Sequence, residues 1–141
     1  MLVRLLYASR LISPQREKVI EDILNKSRQN NPGLGITGLL VYSEGVFLQA
    51  LEGGRAQVSE LYNLITSDER HSDVVLLHFQ EITQRRFGGW SMGQVNMAKV
   101  NASVMLKYSA KAELDPFSVS GEVSLALLEE LMASASVMGR V

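Results

Sequence analysis

The chain has 141 residues and a formal net charge of −1 at pH 7, and 46% of its residues are hydrophobic. This length supports one domain rather than two independent ones. The near-neutral charge gives no nucleic-acid signature, and no apolar run reaches the roughly 18 residues that a membrane span needs. The start of the chain alternates like a strand and not like a signal peptide, so we expect a cytoplasmic protein. The lack of cysteine excludes disulfides, thiolate metal sites, cysteine nucleophiles and cofactors attached through sulfur.

The beginning of the chain predicts a strand followed by a helix. Residues 2–9 alternate as a strand, with one face formed by Val3, Leu5, Tyr7 and Ser9. Ser13 and Pro14 are typical of a helix start, and Pro32 is expected to end the helix, which gives bounds of about 14–30. At helical spacing the buried stripe consists of Ile20, Ile23, Leu24 and Ser27, with Asn31 just beyond it.

A hairpin follows, formed by the apolar stretch ITGLLVY at 36–42 and by GVFLQALEG at 45–53. Both faces of the second strand read as buried, and Gln49 shares one of them with Phe47 and Leu51. A neutral amide in a dry sheet costs about 1–3 kcal/mol unless its oxygen and its N–H donors find partners. The partner of Gln49 is therefore a backbone group, a tyrosine or a ligand, and all three stay open at this point.

A second helix at about 55–67 and two further strands complete this part of the chain. The inward face of the helix consists of Val58, Leu61, Tyr62 and Ile65. The strands are expected at 74–82 and 90–97, separated by the basic, glycine-containing segment TQRRFGG. In the last strand Trp90 and Met92 are expected to share a face, because they lie two residues apart.

The order of these elements predicts an α+β fold: a ferredoxin-like β-α-β-β-α-β-β sheet with two helices on one face. The tail departs from this pattern, with a short helix at 98–108 and a second helix capped by Asp115 and Pro116. Apolar residues of that second helix must cover its own sheet or a partner: Val123, Leu125, Leu128, Leu131 and Met132. We therefore divide the chain into a domain at 1–97 and a C-terminal helical extension at 98–141.

Six separated motifs occur in order along the chain: YAS, SRQNN, GITGLLVY, FLQALEG, DERH and RRFGGWSM. In identity, order and spacing they resemble the BLUF domain, the flavin-binding sensor of blue light. The resemblance covers residues 1–97, and the tail, including LKYS, is similar to the helices of short, stand-alone BLUF proteins. It implies a photoreceptor that binds FAD non-covalently and is not an enzyme.

The resemblance also implies roles for individual residues. In the family, the tyrosine matching Tyr7 hydrogen-bonds the glutamine matching Gln49, and that glutamine contacts the flavin ring. Asn31 is expected at the polar edge of the ring, with Ile23 and Ile65 on its two sides. The residues expected near the ribityl or phosphate portion are Arg70 and His71. Lesser members of the cofactor site are expected to be Ser9, Ser27 and Phe47.

The photochemistry implied by the resemblance starts at Tyr7, which gives an electron and then a proton to the excited flavin. The proton passes through Gln49, and the amide is left rotated or tautomerised with a new hydrogen bond to the flavin, which shifts absorption to the red. The sequence leaves open the rotamer or tautomer, and which of Trp90 and Met92 faces the flavin. The last strand and the tail helices are expected to signal to an unidentified effector protein. A homo-oligomer is also expected. Neither nucleic acid nor a membrane is expected as a partner.

Other protein classes share parts of this pattern. A flavin-free, ferredoxin-like regulatory module would bind a metabolite or a partner protein, and a colourless purified protein would favour it. An acyl-phosphate hydrolase of this fold needs a glycine-rich phosphate loop, and YASRLISPQ lacks the glycines. A cysteinyl-adduct photoreceptor is excluded because the chain has no cysteine. A flavin oxidoreductase is disfavoured because no dinucleotide-type glycine motif follows a strand.

Overall fold

A computed structural model describes residues 1–134 and 137–138 of the chain. The strands in this part are β1 (Leu2–Leu11), β2 (Thr37–Ser43), β3 (Val46–Gly54), β4 (His71–Ile82), β5 (Gly93–Val95) and β6 (Val137–Met138). The helices are α1 (Arg16–Leu34), α2 (Arg55–Thr66), α3 (Ala102–Tyr108) and α4 (Gly121–Ser134), and a short 3₁₀ turn lies at Met97–Lys99.

The strands form one mixed sheet in the order β4-β1-β3-β2-β5-β6. β1 lies between β4 and β3 and is antiparallel to both, and β2 is antiparallel to β3. This arrangement of the first four strands is the ferredoxin-like one, so the predicted α+β fold is confirmed. β5 is the added strand and runs parallel to β2. The sequence did not predict β6, which pairs antiparallel with β5.

The two faces of the sheet carry two separate apolar cores. On β3, Phe47 and Leu51 belong to the core beneath α1 and α2, whereas Leu48 and Ala50 belong to the core beneath α3 and α4. This is the alternation expected of a strand buried on both faces. The apolar residues of α4 lie in the second core, chiefly Leu127, Leu128 and Leu131. Of the two predicted alternatives, α4 therefore covers its own sheet.

α1 extends past the predicted end at residue 30. Pro32 lies inside its last turn, and the helix ends where Gly35 adopts a left-handed conformation with φ 68°. The Gly35 N–H donates to the Pro32 carbonyl at 3.3 Å, so the final turn is tight. The helix therefore ends at its glycine cap and not at the proline.

The predicted cap of the last helix is wrong. α4 begins at Gly121, and the Ser120 hydroxyl accepts a hydrogen bond from the Val123 N–H at 3.2 Å. Asp115 instead accepts from the Ser118 hydroxyl at 2.6 Å, so its carboxylate is used within the preceding loop. A Cβ at position 121 would lie 2.0 Å from the Leu77 carbonyl oxygen, so the helix start needs its glycine. α3 is also shorter than predicted and begins after Asn101, which caps it.

The predicted last strand is mostly not a strand, since only Gly93–Val95 pairs with the sheet. Trp90 packs in the core of the α3–α4 face, and Met92 packs in the core of the α1–α2 face. The prediction that both share one face is wrong. Trp90 to Met92 do not form an extended strand, so the alternation rule does not apply to them.

A glycine on β2 leaves room for this segment. A Cβ at position 38 would lie 2.2 Å from the Ala50 carbonyl oxygen and 2.9 Å from Met92 Cε. We expect Gly38→Ala to lower the free energy of unfolding by about 3 kcal/mol, because the backbone of β3 cannot yield. Urea unfolding measures this, with Gly33→Ala as the control: that helical position has no atom within 4 Å. The control should gain roughly 0.5–1 kcal/mol. Equal stability of Gly38→Ala and wild type would contradict the packing described here.

Candidate functional site

A cleft of about 220 Å³ opens between α1 and α2. Its lining contains these predicted site residues: Tyr7, Ile23, Ser27, Gln49, Ile65, Arg70 and His71. The two isoleucines come from facing helices and form the walls, while β1 and β3 contribute Tyr7 and Gln49 at the floor. The fold thus brings residues from five elements and loops into one concave site with an apolar wall and a polar floor.

A chain of three buried side chains begins at the floor of the cleft and ends behind it at Met92. The Tyr7 hydroxyl donates a hydrogen bond to Gln49 Oε1. Gln49 Nε2 donates to Met92 Sδ at 3.2 Å. Gln49 is 3% exposed and Met92 is fully buried. A tyrosine and a thioether are therefore the protein partners of the buried amide, and a ligand in the cleft would meet the same amide.

The environment of Tyr7 keeps it in the phenol form. Burial raises the pKa of Tyr7 well above its ordinary value of 10.0, and Tyr62 and Asp68 raise it further. The ring packs against Phe47 at 6.0 Å and against Tyr62 at 5.6 Å between centroids. Tyr7 is therefore a protonated donor at neutral pH, held in one orientation by two aromatic neighbours.

Charged groups gather at one end of the cleft. Arg70 pairs with Asp68 at 2.6 Å and with Asp22 at 2.9 Å, and Lys26 pairs with Asp22 at 3.2 Å. The hydrogen bond from Arg70 lowers the pKa of Asp68, and the hydrogen bond from Lys26 lowers that of Asp22. Both carboxylates are therefore ionised at pH 7, and the Arg70 guanidinium is already held by two anions.

His71 lies at the start of β4, beside the floor of the cleft. Its Nδ1 is 2.7 Å from the Ser9 hydroxyl, and the Phe47 ring meets the imidazole edge to face at 5.3 Å. Burial lowers the pKa of His71, which opposes the effect of nearby Asp68. The imidazole is therefore neutral at pH 7. Ser9 and Phe47 do not line the cleft themselves, but both contact residues that do.

Asn31 lies outside the cleft lining. It is 2% exposed, and its Nδ2 donates to the Ser91 carbonyl at 2.7 Å. One turn earlier on α1, Arg28 Nε donates to the Met92 carbonyl at 3.3 Å. In this structure Asn31 therefore fixes the segment that carries Met92. Asn31 is thus connected to Gln49 only indirectly, through Met92.

Sequence reasoning missed several residues of the cleft lining: Lys26, Leu61, Leu64 and Asp68. Leu61 was predicted only as part of the inward face of the second helix. Lys26 directly precedes Ser27 and lies three residues after Ile23, so helical spacing places it beside the predicted wall. A charged residue at the border of an apolar stripe ordinarily reads as solvated, which is why the pattern alone did not select it.

Two kinds of site are not found in the part of the chain that the structure describes. Among residues 1–134 and 137–138, no group of three or more His, Cys, Asp or Glu side chains could hold a metal ion. No helix within the same residues is long and apolar enough to cross a membrane.

Comparison with known proteins identifies the class of protein that this fold and cleft define. Residues 2–93 match the model of the BLUF family, sensors of blue light using FAD. The chain belongs to this family. It is 36% identical over 86 residues to the photoactivated adenylate cyclase subunit beta of Euglena longa, and 34% identical over 88 residues to the blue light- and temperature-regulated antirepressor BluF of Escherichia coli K12. These matches span only 10% and 22% of the two relatives.

Two solved structures match over nearly their whole length. The photo-activated state of BlsA aligns with a TM-score of 0.83 and 30% identity, covering 96% of this chain and 99% of BlsA. The dark state of BlrB, a BLUF protein, aligns with a TM-score of 0.75 and 34% identity, covering 94% of this chain and 95% of BlrB. By contrast, the cyclase match is confined to a tenth of that enzyme. This chain therefore corresponds to BLUF proteins over nearly their whole length, and to only the BLUF part of the cyclase subunit.

The identity of the flavin is less narrowly fixed than the family. The family description names FAD. A structure of Klebsiella pneumoniae BlrP1, 28% identical and with a TM-score of 0.64, was determined with FMN and cyclic diGMP, and this chain covers 31% of it. BLUF domains thus bind a flavin, and the two forms share the ring system that a cleft of this kind would hold.

Proposed function

We propose that this chain is a blue-light sensor that binds FAD non-covalently in the cleft between α1 and α2. The hydrogen-bonded chain from Tyr7 through Gln49 to Met92, which begins at the floor of that cleft, is the observation that supports it most directly. Two successive hydrogen bonds connect an oxidisable phenol (Tyr7), an amide that can rearrange (Gln49) and an apolar side chain that can be displaced (Met92).

The residues present fit a flavin. Ile23 and Ile65 offer apolar walls for a flat ring, and the Gln49 amide offers both a donor and an acceptor at the floor. Lys26 and Arg70, at the charged end, would contact the ribityl or phosphate portion as it extends toward solvent. Arg70 would have to share its guanidinium with Asp68 to do so.

When bound and excited by blue light, the flavin supplies a strong oxidant. Tyr7 would be the donor of the electron to that oxidant and of the phenolic proton, and Gln49 would receive the proton at Oε1 and release one from its amide nitrogen. Return of the electron and the proton would restore the Tyr7 phenol and leave the Gln49 amide rotated or tautomerised. The rearranged amide would then offer a new hydrogen bond to a bound flavin, and the expected sign of this is a red shift in absorption. No substrate is converted in this cycle.

In this proposal the light signal passes from the cleft to the C-terminal extension through Met92 and the segment before β5. The chain then has two parts: residues 1–97 receive light, and the extension at 98–141 responds. A separate effector protein would read the response, and self-association of this chain is the second expected readout. The relatives named as a cyclase subunit and an antirepressor, each matched over a small part of its length, support effectors of several kinds.

The purified chain should be yellow and should shift its visible absorption reversibly to the red under blue light. Denaturation should release the flavin, because the chain has no cysteine that could tether it. Absorption spectra before and after illumination, with mass spectrometry of the released flavin, test both statements and separate FAD from FMN. A chain that stays colourless after reconstitution with FAD would contradict the proposal and favour the flavin-free regulatory module.

A further inference from the structure

A buried ion pair lies on the sheet face opposite the flavin cleft. Arg4 on β1 and Glu52 on β3 are register partners, and Arg4 Nη2 lies 2.8 Å from Glu52 Oε2. Their side chains are 3% and 0% exposed. A buried pair of this kind adds little net stability over an apolar pair, because desolvation offsets the attraction. Its presence in the core of the α3–α4 face therefore calls for another role.

The carboxylate of Glu52 is also the anchor of a loop. The loop is the β4–β5 loop, residues 83–92, which ends at Met92. The backbone N–H of Arg86 donates to Glu52 at 3.0 Å, and that of Phe87 donates at 2.6 Å. Arg85 adds hydrogen bonds to the Glu52 carbonyl at 3.2 Å and to Thr37 at 2.9 Å. The start of the loop is thus fixed to β3, three residues from Gln49 on the same strand.

The same loop residue is tied to the C-terminal extension. The Arg86 guanidinium pairs with Glu129 of α4. Both side chains are partly solvent-exposed, at 49% and 37%, so the pair contributes little to stability on its own. It does define where α4 meets the loop, because the backbone of Arg86 is held by Glu52. Arg86 therefore has its backbone N–H bonded to Glu52 of β3 and its guanidinium paired with Glu129 of α4.

We propose that Glu52 is a positioning residue for the photoresponse: it fixes the start of the β4–β5 loop, whose end at Met92 is held by Asn31 and Arg28. Through Arg86 and Glu129, α4 is held to the same fixed point. Arg4 compensates the buried charge. The inference rests on the proposed function. It goes beyond that function by assigning a role to residues on the sheet face opposite the cleft.

The test compares the flavin-loaded full chain with Glu52→Gln and with the double variant Arg4→Met, Glu52→Leu. The double variant removes the anchor without leaving an unpaired buried charge, so it is expected to fold. Both should keep the red shift. Loss of charged hydrogen bonds should raise dark hydrogen exchange at the amides of 86 and 87 by about tenfold or more. The return to the dark spectrum should change rate, because the start of the loop that ends at Met92 is no longer held to β3.

The link to α4 is tested separately with Glu129→Gln. This variant should keep wild-type exchange in the loop and wild-type recovery, yet lose the light-minus-dark difference in exchange within α4. Glu130→Gln is the matched control, because its carboxylate pairs with Lys107 and Tyr108 of α3 rather than with the loop. It should retain the light response of α4.

The results separate the two levels of the proposal. A wild-type chain with no red shift would overturn the proposed function and this inference together. A normal wild-type red shift, with an Arg4→Met, Glu52→Leu variant that matches wild type in loop exchange and recovery, would overturn the inference alone. An unchanged light response of α4 in Glu129→Gln would overturn the link to α4.

Discussion

Tyr7→Phe should leave flavin bound and abolish the reversible red shift. Phenylalanine keeps the ring that packs against Phe47 and Tyr62, so the cleft keeps its shape. It removes the hydroxyl that donates to Gln49 Oε1, and with it the proposed donor of the electron and the proton. The unpaired amide oxygen should cost about 1–3 kcal/mol of stability. Absorption spectra under blue light measure the first effect and urea unfolding the second.

The matched control for this experiment is Tyr62→Phe. Tyr62 packs on the Tyr7 ring at 5.6 Å and also loses a hydroxyl in the change. It should retain the red shift with its normal extent. Gln49→Leu should behave like Tyr7→Phe, because it removes the bridge instead of the donor. A normal photocycle in either the Tyr7 or the Gln49 variant would show that the residue has been given the wrong role.

Much of the fold could be predicted because local sequence patterns identify its strands and helices. The alternation around Phe47 and Leu48 places them on opposite faces, and the structure puts them in the two separate cores. The same alternation placed Tyr7 on the buried face of the first strand. Helical spacing identified Ile23 and Ile65, which now face each other across one cleft. Strand order followed from topology, since a split βαβ arrangement admits few alternatives.

The errors fall where long-range contacts override the local pattern. Trp90 and Met92 were expected on one strand face, but Asn31 and Arg28 of α1 hold the carbonyls of Ser91 and Met92 and draw the chain out of the extended conformation. Neither contact can be read from spacing along the sequence, since their partners lie 60 and 64 residues apart.

Two further features were hidden for the same reason. Arg4 reads as a charge that interrupts an apolar strand, and only the register with β3 shows that Glu52 lies opposite it. The cap of α4 was assigned to Asp115 because acidic residues before a helix are good caps. Close packing of Gly121 against the Leu77 carbonyl decides the helix start instead.

Met92 and Trp90 should differ from Tyr7 in their effect, because in the proposed cycle they act after the photochemistry. Gln49 Nε2 now donates to Met92 Sδ. If the amide rotates, its carbonyl oxygen takes the place of the N–H beside the Met92 sulfur. Because the oxygen and the sulfur are both acceptors, they no longer form a hydrogen bond, and Met92 is displaced. Trp90 lies two residues away in the core of the α3–α4 face, so the displacement can reach the C-terminal helices.

We therefore expect Met92→Leu to keep the initial red shift while uncoupling light from self-association. Leucine nearly conserves the volume, at a cost below about 1.5 kcal/mol, but removes the sulfur that senses the amide. Trp90→Ala should also uncouple the two, since it removes the packing on the output side. A light-dependent difference of about 1–3 kcal/mol in wild type would change the association constant at least several-fold, which light scattering in dark and light can resolve. Equal light dependence of assembly in wild type, Met92→Leu and Trp90→Ala would remove the segment before β5 from the signalling path and leave another route from Gln49 to be found.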